Sequence, residues 1–296
     1  MALYVQTNTS SINSQRMLAR STRQLDTSYE RLSSGLRINS AKDDAAGLQI
    51  SNRMASQING LTQGNRNAND GISMCQVTEG ALDEVTSMLQ RIRTLAIQSA
   101  NGTNSSAERI AINEEVQQLI TEVKRVGTDT TYGGNLKILG NGVGSTVFQV
   151  GSNAYQTISL TMKSLSKLVT VTAAVNIPNS SGTTIDTIAV NTSLSAMTVT
   201  SASASQKTIA FMSEVIRQVD SYRAELGAVQ NRMESTISNQ ENVIENVSDA
   251  RSRIRDVDYA VETANMTQQS IIQQASTTIL TQANQKTQIA MNLLQG

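Results

Sequence analysis

The sequence has no histidine and no tryptophan, and it carries one cysteine, one proline and two phenylalanines in 296 residues. Each scarcity removes a possibility. Without histidine there is no Ser-His-Asp or Cys-His site, and no zinc site of the His or multi-Cys kinds. The single thiol, Cys75, closes no internal disulfide. Few large aromatics leave a core of Leu, Ile, Val, Met and Ala, small side chains that suit long helices packed at close spacing. There is no GxxxxGK phosphate loop and no GxGxxG after a strand. The 24 basic and 24 acidic residues cancel, so nucleic acid is not an expected partner. No apolar run approaches the roughly 18 to 20 residues that span a bilayer, so no membrane insertion is expected. The start, MALYVQTNTSSINSQ, lacks the basic and apolar regions of a usual secretory signal. Neither an enzyme nor a bound cofactor or metal is expected.

What is present is helical periodicity at both ends. Leu18, Leu25 and Leu32 recur every seven residues, with Tyr29 on the same side, and predict a helix over about 5–34. Ser33-Ser34-Gly35 stops it. Cys75, Thr78, Leu82, Val85, Leu89, Ile92 and Ala96 then step by three and four, ending before Asn101-Gly102. A third helix restarts near Ser105, with Ile112, Val116, Leu119 and Val123 on its apolar face and Gly127 at its end.

From Tyr132 the period changes. Asn135–Leu139, Thr146–Val150 and Gln156–Leu160 read as short strands joined by hairpins at Gly-Asn-Gly 140–142 and Gly151-Ser152-Asn153. Fifteen of the 37 residues in 170–206 are Ser or Thr, and Asp186 is their sole charge. This stretch, with Ile185, Ile188 and Val190 alternating, reads as an irregular or β excursion, with disorder as the competing reading.

The C-terminal third is again helical. Met212, Val215, Val219, Tyr222, Leu226, Val229 and Met233 form one stripe, resumed at Val243, Val247 and Ala250. Beyond Asp256 a second stripe holds Ile272, Ile279, Leu280, Ala283, Ala290, Leu293 and Leu294. Chain ends are usually polar and frayed. Here both ends need burial, so they must meet each other or other copies. An out-and-back antiparallel bundle is the economical solution.

Six segments carry a family resemblance: LSSGLRINSAKDDAAG at 32–47, GLTQGNRNANDGIS at 60–73, QRIRTLAIQSANGTNS at 90–105, LGAVQNRMES at 226–235, SRIRDVDYAVETANM at 252–266 and QANQ at 282–285. In order and spacing they resemble bacterial flagellin over about 1–165 and 207–296. The resemblance implies a mainly α fold, a long antiparallel coiled-coil rod in two tiers with a small β-hairpin region. Residues 1–45 and 253–296 would form an inner-tube domain. Residues 46–165 and 207–252 would form an outer-tube domain, and 166–206 a short segment in place of larger outer domains.

It also implies a structural subunit of the extracellular flagellar filament, secreted by type III export. Its partners would be copies of itself, the export apparatus, a chaperone, and junction and cap proteins. The implied polymerisation core is Leu18, Leu25, Leu32, Ile272, Ile279, Leu280, Ala283, Ala290, Leu293 and Leu294. A vertebrate innate immune receptor would contact Arg91, Leu95 and Glu115. Thr94 stands where many relatives have Glu, and Thr287 where many have Pro, so the last helix need not kink.

Other features have plainer readings. Cys75 on the stripe reads as a small buried hydrophobe before a redox site. Lys42-Asp43-Asp44 reads as solvated or intersubunit charge before half a metal site. Asn101-Gly-Thr, Asn104-Ser-Ser and Asn191-Thr-Ser match the N-glycosylation pattern, a coincidence in a bacterial chain. Arg91 and Arg93 lie off the stripe and are available to partners. Two further functions compete with the filament: a junction or cap-adjacent protein, and a soluble binding module or immune ligand.

Overall fold

The computed structural model describes residues 7–134, 136–140, 144–171, 175–178, 184–188 and 192–295, with backbone alone at 171, 175–178, 184–188, 192, 287 and 290–295. The chain is mainly α. Its helices are α1 (Thr9–Ser34), α2 (Ala45–Ala100), α3 (Ser106–Asp129), the single turn α4 (Leu165–Leu168), α5 (Ala202–Arg255) and α6 (Tyr259–Gln295). The strands pair antiparallel: β1 (Thr131–Tyr132) with β2 (Leu136–Lys137), and β3 (Ser145–Gln149) with β4 (Thr157–Thr161). In the Ser/Thr-rich stretch, β5 (Thr170–Val171) pairs with β8 (Thr192–Ser193) and β6 (Val175–Pro178) with β7 (Thr184–Ile188). That nesting is a β excursion; the side chains of Ile185 and Ile188, and Val190 altogether, lie outside the described ones. Among the described residues no helix is long and apolar enough to cross a membrane.

Two compact units divide the chain. A terminal unit holds residues 1–58 and 243–296, and a central unit holds 59–242.

The central unit has a full apolar core. All seven stripe residues from Cys75 to Ala96 are buried, packed with Val116, Ile120 and Val123 of α3 and with Phe211, Met212, Val215, Val219, Tyr222 and Leu226 of α5. The three-four spacing therefore reads out helix packing directly. Polar ties close the structure: Ser99 Oγ donates to Val199 O at 2.6 Å, and Asn113 Oδ1 accepts from Val199 N at 3.0 Å. Tyr222 Oη accepts from Lys163 N and donates to Thr161 O. Ser105 caps α3 in a reciprocal box with Glu108.

Two boundaries differ from the sequence reading. The helix legible from Cys75 onward begins thirty residues earlier, at Ala45. Gly127 lies inside α3 and does not end it; a Cβ there would come within 2.8 Å of Leu165 Cδ2, so the glycine admits α4. Gly64 acts likewise. A Cβ would fall 1.9 Å from the backbone carbonyl of Val150, so the turn of the β3–β4 hairpin can lie directly on α2. Phe148 of this hairpin joins both apolar clusters of the unit.

Gly64→Ala and Gly80→Ala should move stability in opposite directions. Gly80 faces open space. Alanine there gains about 1 kcal/mol of helix propensity, whereas at Gly64 the backbone clash outweighs that gain. Thermal unfolding is expected to shift upward by a few degrees for Gly80→Ala and downward for Gly64→Ala. Equal shifts for the two would refute the close approach.

Candidate assembly surface on the terminal helices

In the terminal unit α1 and α6 run antiparallel. Asn8 Nδ2 donates to Ala283 O at 2.9 Å, Gln273 Nε2 donates to Thr22 Oγ1 at 3.2 Å, and Ser28 Oγ donates to Glu262 Oε1. As the α1 number rises, the α6 number falls. The positions turned inward on α1 are Ser11, Ser14, Leu18, Ser21, Leu25, Ser28 and Leu32. On α6 they are Glu262, Met266, Gln269, Gln273, Ser276, Leu280 and Ala283. Both sets step by three and four, the seam of a two-helix coiled coil.

The seam is mostly small and polar. Leu18, Leu25 and Leu32 do lie on it, but serines sit between them. Ser14 Oγ and Ser21 Oγ donate to carbonyls of their own helix, of Ser10 and Leu18, so burying them costs no unmet hydrogen bond. Glu262 is buried, hydrogen-bonded by Ser28 and 3.6 Å from Arg31 Nη1. Tyr29, expected on the leucine side, is instead 55% exposed; it follows Ser28 by one position, about 100° around the helix.

The apolar stripe expected on α6 separates into two faces. Leu280 and Ala283 turn toward α1. Ile272 and Ile279 turn away, and Val261, Ile271 and Ile289 are exposed with them. Ala260, Ala264, Gln268, Ile271 and Ile272 border an open groove along this outer face. On α1, Ile12 and Met17 are exposed as well. The side chains of Ala290, Leu293 and Leu294 lie outside the described ones, while the α6 backbone runs through Thr287 unbroken to Gln295.

Only Leu25, Ile38 and Ala283 are buried apolar residues of this unit among the described residues. Fixing the backbone of each residue costs roughly 1–2 kcal/mol. Such a small core leaves little to hold two helices of 26 and 37 residues in place.

The loop between α1 and α2 explains the 32–47 segment. Gly35 ends α1 in the left-handed region (φ 71°), and its carbonyl accepts from Val257 N at 3.0 Å. Arg37 N donates to Arg255 O at 2.7 Å, and Leu36 bridges Asp256. Asp43 Oδ2 accepts from the amides of Asn39 and Ser40 and from Ser40 Oγ. Asp44 Oδ1 accepts from Gly47 N at the start of α2. Lys42-Asp43-Asp44 is thus a turn in which both carboxylates serve backbone donors. In the next turn along the chain, Asn104 Nδ2 donates to Gln98 O, and Asn101 O accepts from Arg109 Nη2.

On the central unit, Arg91 and Glu115 come together on the surface through Nη2···Oε1 at 2.6 Å and Nε···Oε1 at 3.0 Å. Leu95 does not join them at the surface. It is 2% exposed, one turn along on the buried side of α2, and this corrects its expected role as a contact. Thr94 is exposed and donates to Gln90 O. Cys75 is fully buried, and desolvation, then the neighbouring Glu79 charge, pushes its thiol up to about 11. It stays protonated and packs as a small hydrophobe.

These features define a class: an out-and-back helical protein whose chain ends pair in a small-residue coiled coil. The comparisons narrow it. The profile of the bacterial flagellin N-terminal helical region matches residues 5–142, and that of the C-terminal helical region matches 209–294. The chain belongs to the bacterial flagellin family. It is 56% identical over 166 residues to B-type flagellin of Pseudomonas aeruginosa, covering 56% of this chain and 34% of that one. It is 52% identical over 165 residues to polar flagellin C of Vibrio parahaemolyticus, covering 56% and 43%. The chain thus spans less than half the length of these relatives. The fold is shared with a candidate flagellar hook-associated protein from Vibrio parahaemolyticus, at TM-score 0.57 and 12% identity over 73% of this chain and all of that one. Flagellins are structural proteins, not enzymes.

The Asp43 turn makes a pH prediction. The Ser40 amide, then its hydroxyl, hold the Asp43 carboxyl below its ordinary value of 3.8. A depressed folded-state value means the turn's stabilisation is present above 3.8 and is lost as pH falls through the lower folded value. The NMR shift of the Ser40 amide should titrate below pH 3.8, and Asp43→Asn should abolish that titration.

Proposed function

We propose that this chain is a structural subunit that polymerises into the bacterial flagellar filament, with its terminal helices in the filament core. One observation carries the reading. The outer face of α6 holds Val261, Ile271, Ile272, Ile279 and Ile289, which are 36–60% exposed. Exposed apolar faces of this kind mark association sites. Neighbouring copies would bury that face and supply the burial that the small α1–α6 seam lacks. Ile272, Ile279 and the terminal Ala290, Leu293 and Leu294 would contact other copies, while Leu18, Leu25, Leu32, Leu280 and Ala283 hold each copy's own helix pair.

A heterologous contact that repeats without closing gives an open helical array. Family membership supports a finer setting for this reading: type III export with a chaperone, junction and cap proteins at the filament's ends, and an extracellular location. Residues 1–45 with 253–296 would line the inner tube, 46–165 with 207–252 the outer tube, and 166–206 would stand in for larger outer domains. Recognition by an innate immune receptor would rest on the surface pair Arg91 and Glu115, with Leu95 supporting the helix from beneath.

Ile279→Lys puts a charge on the open face without entering the seam. The full chain with this change should stay soluble, keep the thermal unfolding of its central unit, and form no filaments by electron microscopy, seeded or unseeded. Deleting 283–296 should do the same. Filaments of normal length from either would sink the reading. A few copies capping seeds without elongation would favour the junction role instead. In a receptor reporter assay, Arg91→Ala should lower signalling by monomers.

A further inference from the structure

We propose that Tyr155 of one copy docks into a cavity of the central unit on the next copy, a head-to-tail contact additional to the open face of α6. It rests on the self-assembly reading above.

Tyr155 is 96% exposed and has φ 66°, the sole non-glycine residue in the left-handed region among those described. Glycine or asparagine adopts this region with least strain, and an aromatic residue there is disfavoured. The turn is nevertheless held firmly. Val150 N and Gly151 N donate to Gln156 O at 3.0 and 3.1 Å, and Asn153 N donates to Gln156 Oε1 at 3.1 Å. Gln149 Nε2 donates to Gly151 O and Asn153 O at 2.9 and 2.6 Å. Strain kept in a well-fixed turn points from the outlier toward a function. A rigidly presented tyrosine, with an apolar body and a polar tip, is the side chain that most often anchors an interface.

The complementary surface lies on the same unit. A cavity of about 260 Å³ is walled by Val123, Leu139, Leu165 and Leu194. Ser193 and Ser195, their hydroxyls 3.1 Å apart, line it as well. Gly127 lets Leu165 close this wall, since a Cβ there would press on it. A largely apolar chamber lined in part by hydroxyls suits a phenol ring, whose oxygen can meet them.

The two surfaces cannot meet within one copy. Tyr155 sits at the turn end of the β3–β4 hairpin. The cavity sits beyond its open end, where Met162 N donates to Gly144 O and Leu165 N to Leu139 O. Strands of five residues separate them by roughly 13–17 Å. Unlike surfaces at two places on one unit make a heterologous contact, which need not close into a ring. Its size also selects the occupant. One aromatic buries roughly 150–250 Å², far short of the roughly 1,200 Å² of a stable pairwise complex. The contact therefore adds to an array of copies already held elsewhere and does not form a free pair.

The test uses the full chain. Tyr155→Asn suits the backbone and removes the ring. It should melt at or above the wild-type temperature while its critical concentration for polymerisation rises roughly tenfold, the loss expected for one anchor. Tyr155→Phe should assemble close to wild type. In copolymers of Tyr155→Cys and Ser195→Cys chains, oxidation should give a band of twice the chain mass from filaments and none from monomers. A lower melting temperature for Tyr155→Asn would make Tyr155 a fold residue and overturn the proposal. So would an unchanged critical concentration, or filaments that give no cross-link. Should wild type itself fail to polymerise, the self-assembly reading falls and takes this contact with it; if wild type polymerises and Tyr155→Asn matches it, the docking contact alone is refuted.

Discussion

The antiparallel pairing of α1 with α6 is the constraint on which the terminal unit depends, and it is made with side chains that bring little apolar burial. Serines at alternate seam positions let two helices approach closely, and the buried hydroxyls of Ser14 and Ser21 are satisfied by their own backbone. Direction and register come from a few polar links across the seam: Asn8 to Ala283, Thr22 to Gln273, Ser28 and Arg31 to Glu262. A buried carboxylate at one seam position specifies alignment at some cost in stability. The pair is therefore well specified and weakly held. Its larger apolar side chains face outward, which makes further burial the natural completion of its fold.

The central unit solves the opposite problem. Its core includes Phe211 and Tyr222, two of the few aromatics, both fully buried. Close approach is again bought with small residues, here glycines: Gly64 under the carbonyl of Val150 and Gly127 under Leu165. One unit closes on itself, and the other leaves its apolar face open. In a chain divided in this way the two stabilities are separable along the sequence.

Much of this was legible from periodicity. The Cys75–Ala96 stripe is the buried face of α2, and the predicted strands at 146–150 and 156–160 fall within one residue of β3 and β4. The start of α2 was not legible. Residues 57–73 are rich in Asn and Gly, poor helix formers, and the glycines' value lies in what packs on them. Gly127 read as a stop because a glycine near a helix end usually is one; only the position of Leu165 shows why it is interior. Seven-residue spacing placed Leu18, Leu25 and Leu32 on one line but could not show that serines share the seam, since a buried serine leaves no hydrophobic trace. Spacing likewise grouped Ile272 and Ile279 with Leu280 and Ala283. Which half of a broad apolar stripe meets the intramolecular partner is decided by the facing helix, and no single-helix pattern contains that helix. Leu95 shows the same limit: adjacent in motif to Arg91, it points into the core while Arg91 points out.

Tyr155 fits this division of labour. In a monomer that only had to fold, the left-handed position of the β3–β4 turn would be served better by Gly or Asn. The hairpin can carry the strain because Gln149 and Gln156 over-determine the turn and Phe148 ties its strand to both clusters of the core. Stability made in the closed unit thus supports a side chain that contributes nothing to that unit. The outward isoleucines of α6 stand in the same relation to the α1–α6 seam. In both places an outward-facing apolar group sits on an element whose course is specified by hydrogen bonds made elsewhere, the turn by Gln149 and Gln156 and α6 by its links to Asn8, Thr22 and Ser28.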